Sequence, residues 1–179
     1  NLNIDNFTLK QLIDFNKKIP ATIIQKGYYH SFILKDNKIY DGDNKIFSDL
    51  DDIIQISSSN NHMLALTAEG EIYSFGENKS GQLGLGHNFD CNVPQLIKNI
   101  SDIVYIAISD NHSMVLSSNG KVYLTGNDVN IFTEIKLKNI IQISSGVTHS
   151  LALSSKGKVY KIINNDITTL MKNSKIVSI

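Results

Sequence analysis

The residues best suited to chemistry in this chain are its histidines, and four of the five recur at one position of a repeating pattern: His30, His62, His112 and His149. Imidazole can ligate a metal or move a proton near neutral pH, so such a set raises the question of a shared ion. Spacing argues against one. The four hold equivalent places in successive copies, and packed sheets stand about 10 Å apart, too far for a single ion with ligands at roughly 2 Å. Buried polar groups must be paired, so each histidine is expected to fix the turn between two inner strands by hydrogen bonding. Ser113 and Ser150 each follow a histidine directly; strand neighbours point to opposite faces, so no Ser/His catalytic pair is expected. His87 lies outside the pattern and reads as a loop residue.

Three other constellations fall short of a site. Gly76 and Gly81 open like a phosphate-binding loop, but Gln82 and Leu83 stand where Lys and Ser or Thr would touch phosphate and metal, so the glycines read as turn formers. Asp41, Asp43, Asp49, Asp51 and Asp52 suggest calcium. Counted as a calcium loop from Asp41, the sixth position is Ile46 where glycine is needed and the twelfth is Asp52, so a solvated turn is expected. Lys17-Lys18 is too short a basic run to mark a membrane or nucleic-acid surface. No catalytic, cofactor-binding or metal residue is assigned, and the partner-binding residues stay unassigned.

Composition narrows the function classes. Lys+Arg and Asp+Glu balance at 17 each, and every basic residue is lysine. Without arginine the bidentate fork used on phosphate and guanine is missing, which argues against nucleic acid as a partner. Cys91 stands alone, so no disulfide closes within the chain, and a reducing, intracellular setting, cytoplasmic or nuclear, is expected. Asn6, Asn78, Asn99 and Asn111 begin Asn-X-Ser/Thr triplets, which an asparagine-rich chain generates by chance. No signal peptide or long apolar span is seen, so no membrane association is expected. The chain begins at Asn1 and stops in the apolar run Ile176, Val177 and Ile179, so both ends are expected to be cut from something longer.

The elements that position these residues come from an internal repeat. Ile53 to Tyr73, Ile103 to Tyr123 and Ile140 to Tyr160 superimpose without gaps: Ile56, Ile106 and Ile143 precede the histidine by six residues, and Tyr73, Tyr123 and Tyr160 follow it by eleven. A degenerate first copy has Ile24, His30 and Tyr40, one residue short in the turn. Each copy reads strand, short turn, strand, tight turn, strand. Asn119-Gly120 is a strong hairpin signal because both residues accept positive φ, Gly70 and Gly157 hold the same place, and Asp36-Asn37 leaves the first turn open. MLAL and SLAL are apolar at successive positions, so both sheet faces should be covered. Thr8 with Gln11 as a capping box, Phe7 with Leu12 as a staple and Pro20 as a stop predict a short helix at the start.

The stretch from Ile72 through GENKSGQLGLG, Gly76 to Gly86, followed by the strands to Tyr123, resembles one full repeat of the regulator-of-chromosome-condensation family. The glycine loop appears once; the strand and histidine pattern covers about residues 21 to 179. The resemblance implies an all-β, partial β-propeller, three to four blades of a seven-bladed ring, with the remaining blades supplied by missing sequence or a partner chain. The expected division is 1–20, N-terminal helix or linker; 21–52, degenerate repeat; 53–102, full repeat; 103–139 and 140–175, short repeats; and 176–179, the start of another. It implies a non-catalytic scaffold that binds another protein. Guanine-nucleotide exchange on a Ran-like small GTPase is the alternative, and a structural role in a larger assembly the third reading.

Overall fold

The computed structural model describes residues 23–26, 31–41, 43, 47–48, 50–163 and 166–171, all strand, turn or loop. The expected helix within 1–20 lies outside the described residues, as do His30, Asp49 and 176–179. Blade one has three strands, β1 (Ile23–Lys26), β2 (Ser31–Lys35) and β3 (Lys38–Asp41). Blade two follows with β4 (Ile53–Ser58), β5 (His62–Thr67), β6 (Ile72–Gly76) and β7 (Cys91–Leu96). In blade three these become β8 (Ile103–Ile108), β9 (His112–Ser117), β10 (Val122–Gly126) and β11 (Val129–Ile135). Blade four has β12 (Ile140–Ser145), β13 (Ser150–Ser154), β14 (Val159–Ile163) and β15 (Asp166–Met171). Every sheet is an antiparallel meander in chain order.

The first strands sit where neighbouring blades meet: β4 lies against β1 and β2, β8 against β4 and β5, and β12 against β8 and β9. Between blades lie the cores. Met63 and Ala65 of β5 face blade one with Phe32, Leu34, Ile39, Ile53 and Ile56; Leu64 and Leu66 face blade three with Ile103, Ile106 and Val115. Met114 and Leu116 repeat this against Ile140, Ile143 and Ala152 of blade four. Strands β5 and β9 are therefore buried at every residue, as their unbroken apolar runs require. Burial of each large side chain contributes about 1.5 to 3 kcal/mol, so the inter-blade contacts are the main source of cohesion.

The expected hairpins form, with turn geometries that differ from one to the next. In Ser117–Lys121 only Gly120 takes a positive φ, 77°, and Ser117 N–H donates to Lys121 O at 2.9 Å, so the loop has three residues with glycine at the bulge. Asn119 Oδ1 accepts from Ser117 Oγ–H and Lys121 N–H instead. Two-residue turns with both φ positive occur at Asp36-Asn37, at 50° and 60°, and at Asn127-Asp128, at 50° and 72°. A bulge also recurs at the start of each later first strand, at Ile53/Gln55, Ile103/Tyr105 and Ile140/Gln142.

Candidate functional site: blade junctions and rims

His62 is 4% exposed and makes the local bond its position predicts: Ser59 Oγ lies 2.8 Å from Nδ1 across the β4–β5 turn. Its other nitrogen leaves the blade. Nε2 lies 3.0 Å from Ser113 Oγ of blade three, and Ser113 donates its own hydroxyl to Gln82 O at 2.8 Å. Because that hydrogen is committed, Ser113 accepts from His62 Nε2–H, and Nδ1 accepts from Ser59. The arrangement repeats one blade on. Ser109 Oγ lies 2.6 Å from His112 Nδ1, Nε2 lies 2.7 Å from Ser150 Oγ, and Ser150 donates to Ser145 Oγ.

A Ser–His pair thus exists, though between copies. Ser113 and His112 do point to opposite faces; it is His62 that reaches Ser113. Buried at 0% and 4% exposure, this pair offers no approach to a substrate and joins blades instead. Burial, and secondarily the neighbouring His112, lower the His62 pKa to about 3, and burial lowers that of His112. Both rings are neutral at pH 7, as the donor and acceptor roles require. His149, on blade four, is half-buried and its Nδ1 lies 3.0 Å from Thr148 Oγ1.

A second stitch closes each junction at the opposite end of the strands. Ile53 N–H donates to Asn37 O, Ile103 N–H to Gly70 O and Ile140 N–H to Gly120 O, so the start of each blade hangs on the hairpin of the one before. Gln55 adds a two-point clamp, donating to Ile106 O at 3.0 Å and accepting from Ile106 N–H at 3.1 Å.

The long loop between β6 and β7 sits at the histidine end. Asn78, fully buried, organises it: Nδ2 donates to His87 O at 2.7 Å and Phe89 O at 3.2 Å, and Oδ1 accepts from Leu83 N–H at 2.9 Å. The loop is then fastened to blade three. Thr125 donates to Gly81 O, Gly86 N–H to Asn130 O and Asp128 N–H to Ser80 O, while a Cβ on Gly81 would lie 2.7 Å from Val129 O. Gly76, at φ 111°, packs onto Asn61 and His62 so closely that no Cβ fits. The loop amides are engaged internally: Ser80 N–H donates to Gln82 Oε1, Gly81 N–H to Asn78 O and Gly84 N–H to Gly81 O. These three amides are therefore not free to cradle a phosphate.

Of the aspartates, Asp51 pairs with Lys38 at 3.1 Å and Asp41 Oδ1 accepts from Asp43 N–H at 3.0 Å, a solvated turn. No group of His, Cys, Asp or Glu among the described residues could hold a metal, and no helix there is long and apolar enough to cross a membrane. Sequence reasoning weighed Ser113 and Ser150 only against the histidines beside them and Asn78 only as the start of a triplet, and it left out Gln55. The serines after His112 and His149 carried a signal in their recurrence; the two amides carried none.

Two openings among the described residues bear on recognition. One, about 290 Å³, lies between the outer strands of blades two and three and is lined by Leu85, Leu96, Ile97 and Ile131 beside Lys98 and Asn99. The other, about 230 Å³, lies between blades one and two at the histidine end, among Phe32, Phe47, Phe75 and Met63. Here the rings of Phe47 and Phe75 stack at 4.8 Å, with Phe32 edge-on to both.

Comparison with known proteins agrees with this geometry. Residues 69–116 and 53–82 each match the regulator of chromosome condensation (RCC1) repeat. The chain is 52% identical over 46 residues to the ultraviolet-B receptor UVR8 of Arabidopsis thaliana, covering 26% of this chain and 10% of the receptor. It is 53% identical over 38 residues to human RCC2, covering 21% of this chain and 7% of that protein. Among solved structures, Prp20p of Saccharomyces cerevisiae, described with its binding properties to Gsp1p and histones, superposes with a TM-score of 0.67 at 18% identity. That match takes in 79% of this chain and 44% of Prp20p. The chain therefore spans a tenth or less of these curated relatives and under half of that propeller. With repeat matches running through blades two and three, and the same four-stranded unit recurring in blade four, residues 53–116 carry RCC1-type repeats and the chain has the blade architecture of an RCC1-type β-propeller.

Proposed function

We propose that the chain is a non-catalytic interaction module, a rigid arc of blades whose rims bind another protein. The observation that carries this reading is where the polar chemistry goes. The buried histidines His62 and His112, their serines and Asn78 are committed to joining blades or shaping a loop, while connections at the rim vary from the two-residue turn Asn127-Asp128 to the long β6–β7 loop. Loops that vary on a rigid frame are the usual place for recognition. The division into repeats at 21–52, 53–102, 103–139 and 140–175, a closed ring completed by further blades, and a cytoplasmic or nuclear setting belong to the same proposal.

A second reading is nucleotide exchange on a Ran-like small GTPase, favoured by the likeness to Prp20p, whose described binding includes Gsp1p. A nucleotide-release assay over a panel of small GTPases separates the two. The interaction reading expects no acceleration by the chain; faster release from any one of them would replace it with the exchange reading.

A further inference from the structure

We propose that the hairpin end of blades three and four docks an acidic polypeptide segment of a partner protein. This rests on the interaction reading and adds the surface and its chemistry. The rim there is one continuous strip, because hydrogen bonds link each piece to the next: Ser118 N–H to Asp102 O, Ile140 N–H to Gly120 O and Ser155 N–H to Asn139 O. Along it stand Lys98, Lys136, Lys138, Lys156 and Lys158, whose ammonium groups have no ion-pair partner among the described residues. Lys121, in the same strip, is matched by Glu134 at 2.8 Å, and the remaining carboxylate, Asp102, accepts from Ser101.

Carboxylates gather elsewhere. Asp51, Asp52, Glu69 and Glu71 occupy the hairpin end of blades one and two, and Asp90, Asp110 and Asp128 the histidine end of blades two and three. A chain of zero net charge is in this way divided into acidic and basic surfaces, which steers a partner of one sign to one place.

Three features favour polypeptide over nucleic acid. The strip is lysine alone, offering compact point charges without the planar fork suited to phosphate and guanine. No strongly exposed aromatic ring lies on it for a base to stack on; Phe89 and Tyr105, the exposed aromatics among the described residues, lie on the histidine-end loop and on β8. Lys98 also borders the 290 Å³ groove, whose Leu85, Leu96, Ile97 and Ile131 walls suit an apolar side chain at one end of an acidic segment.

The test is fluorescence anisotropy of a short labelled peptide of Asp and Glu ending in leucine, with the whole chain. Binding should weaken as salt rises. The triple variant Lys136→Glu, Lys138→Glu, Lys156→Glu, folded by circular dichroism, should lower affinity roughly tenfold or more, while Asp110→Asn with Asp128→Asn on the other rim changes it by about twofold or less. Equal binding by the triple variant overturns the proposal. So does tighter binding of single-stranded DNA or phosphatidylserine vesicles than of the peptide, or self-association of the chain that the triple variant abolishes. If the triple variant loses the peptide while the chain accelerates nucleotide release, the docking surface stands and the interaction reading falls. If the peptide ignores the reversal and no GTPase is accelerated, the docking surface falls alone.

Discussion

Protonating His62 would place a charge between blades two and three, where the ring is 4% exposed and both nitrogens already have partners. Its pKa is lowered from 6.5 to about 3 when folded, chiefly by burial. Above the ordinary value the ring is neutral folded and unfolded, and pH has no effect through it. As pH falls from 6.5 towards 3 the unfolded chain takes up the proton and the folded chain does not, so stability drops by up to about tenfold in the folding equilibrium per pH unit. His112, lowered in the same direction, adds to the slope. Urea melts between pH 7 and 4 should show this loss, and His62→Gln should remove close to one proton's worth of slope whatever its baseline stability; an unchanged slope would show that the ring does not titrate with unfolding. Ser113→Ala at pH 7 strips His62 Nε2–H of its acceptor and Gln82 O of a donor, and should cost about 1 to 3 kcal/mol. That bond spans 51 residues, and the one from His112 to Ser150 spans 38. The histidine positions were legible in the sequence, but with connections of unequal length nothing local tells which residue of the next copy each ring will meet.

Among the connecting elements, the β6–β7 loop shows how one buried amide can hold a long excursion against a neighbouring blade. Asn78 supplies three close bonds inside the loop, and the loop then bonds to Thr125, Asp128 and Asn130 of blade three. Asn78→Ala should therefore destabilise the chain by about 2 kcal/mol or more and open residues 77–90 to protease, whereas Asn88→Ala, losing two exposed bonds, one from Asn130 and one to Lys79 O, should cost about 1 kcal/mol or less. Equal proteolysis of the two variants would remove Asn78 from that role. At this scale the inner three strands of each later copy were readable from apolar runs and turn glycines. The outer strands β7, β11 and β15 were not, since mixed residues such as those in CNVPQL are shaped by a single paired edge. Hairpin type escaped for a related reason: Asn119-Gly120 and Asn127-Asp128 both suit positive φ, and the bulge register at Ser117–Lys121 selects Gly120 alone. The separation of charge over the surface is likewise invisible to a net charge of zero and appears once Lys121, Lys136, Lys138 and Lys158 are placed on hairpins and links at the same end of blades three and four.

Across the molecule, cohesion between blades passes through their faces, so the stability of any strand depends on whether a blade lies on each side of it. Strand β5 has blades one and three as neighbours and β9 has blades two and four, and both are wholly buried. Blade four meets blade three on one face. On the other, among the described residues, Leu151 is half-exposed and Ile141 and Ile163 are each 43% exposed, although Leu153 is buried, and all of β15 is exposed. In a repeat array where each unit contacts only its neighbours, the amides of the flanked blades should exchange through opening of nearly the whole array, and those of a blade flanked once through a cheaper local opening. Hydrogen exchange followed by mass spectrometry on the 179-residue chain should thus rank β5 and β9 as slowest, β13 faster and β15 fastest. Docking of an acidic peptide on Lys136, Lys138 and Lys156 should slow exchange in β13 more than in β5, since the bound ligand touches blades three and four alone. Uniform protection across all four strands would mean that the blades unfold as one unit and that neighbour-by-neighbour packing does not govern this arc.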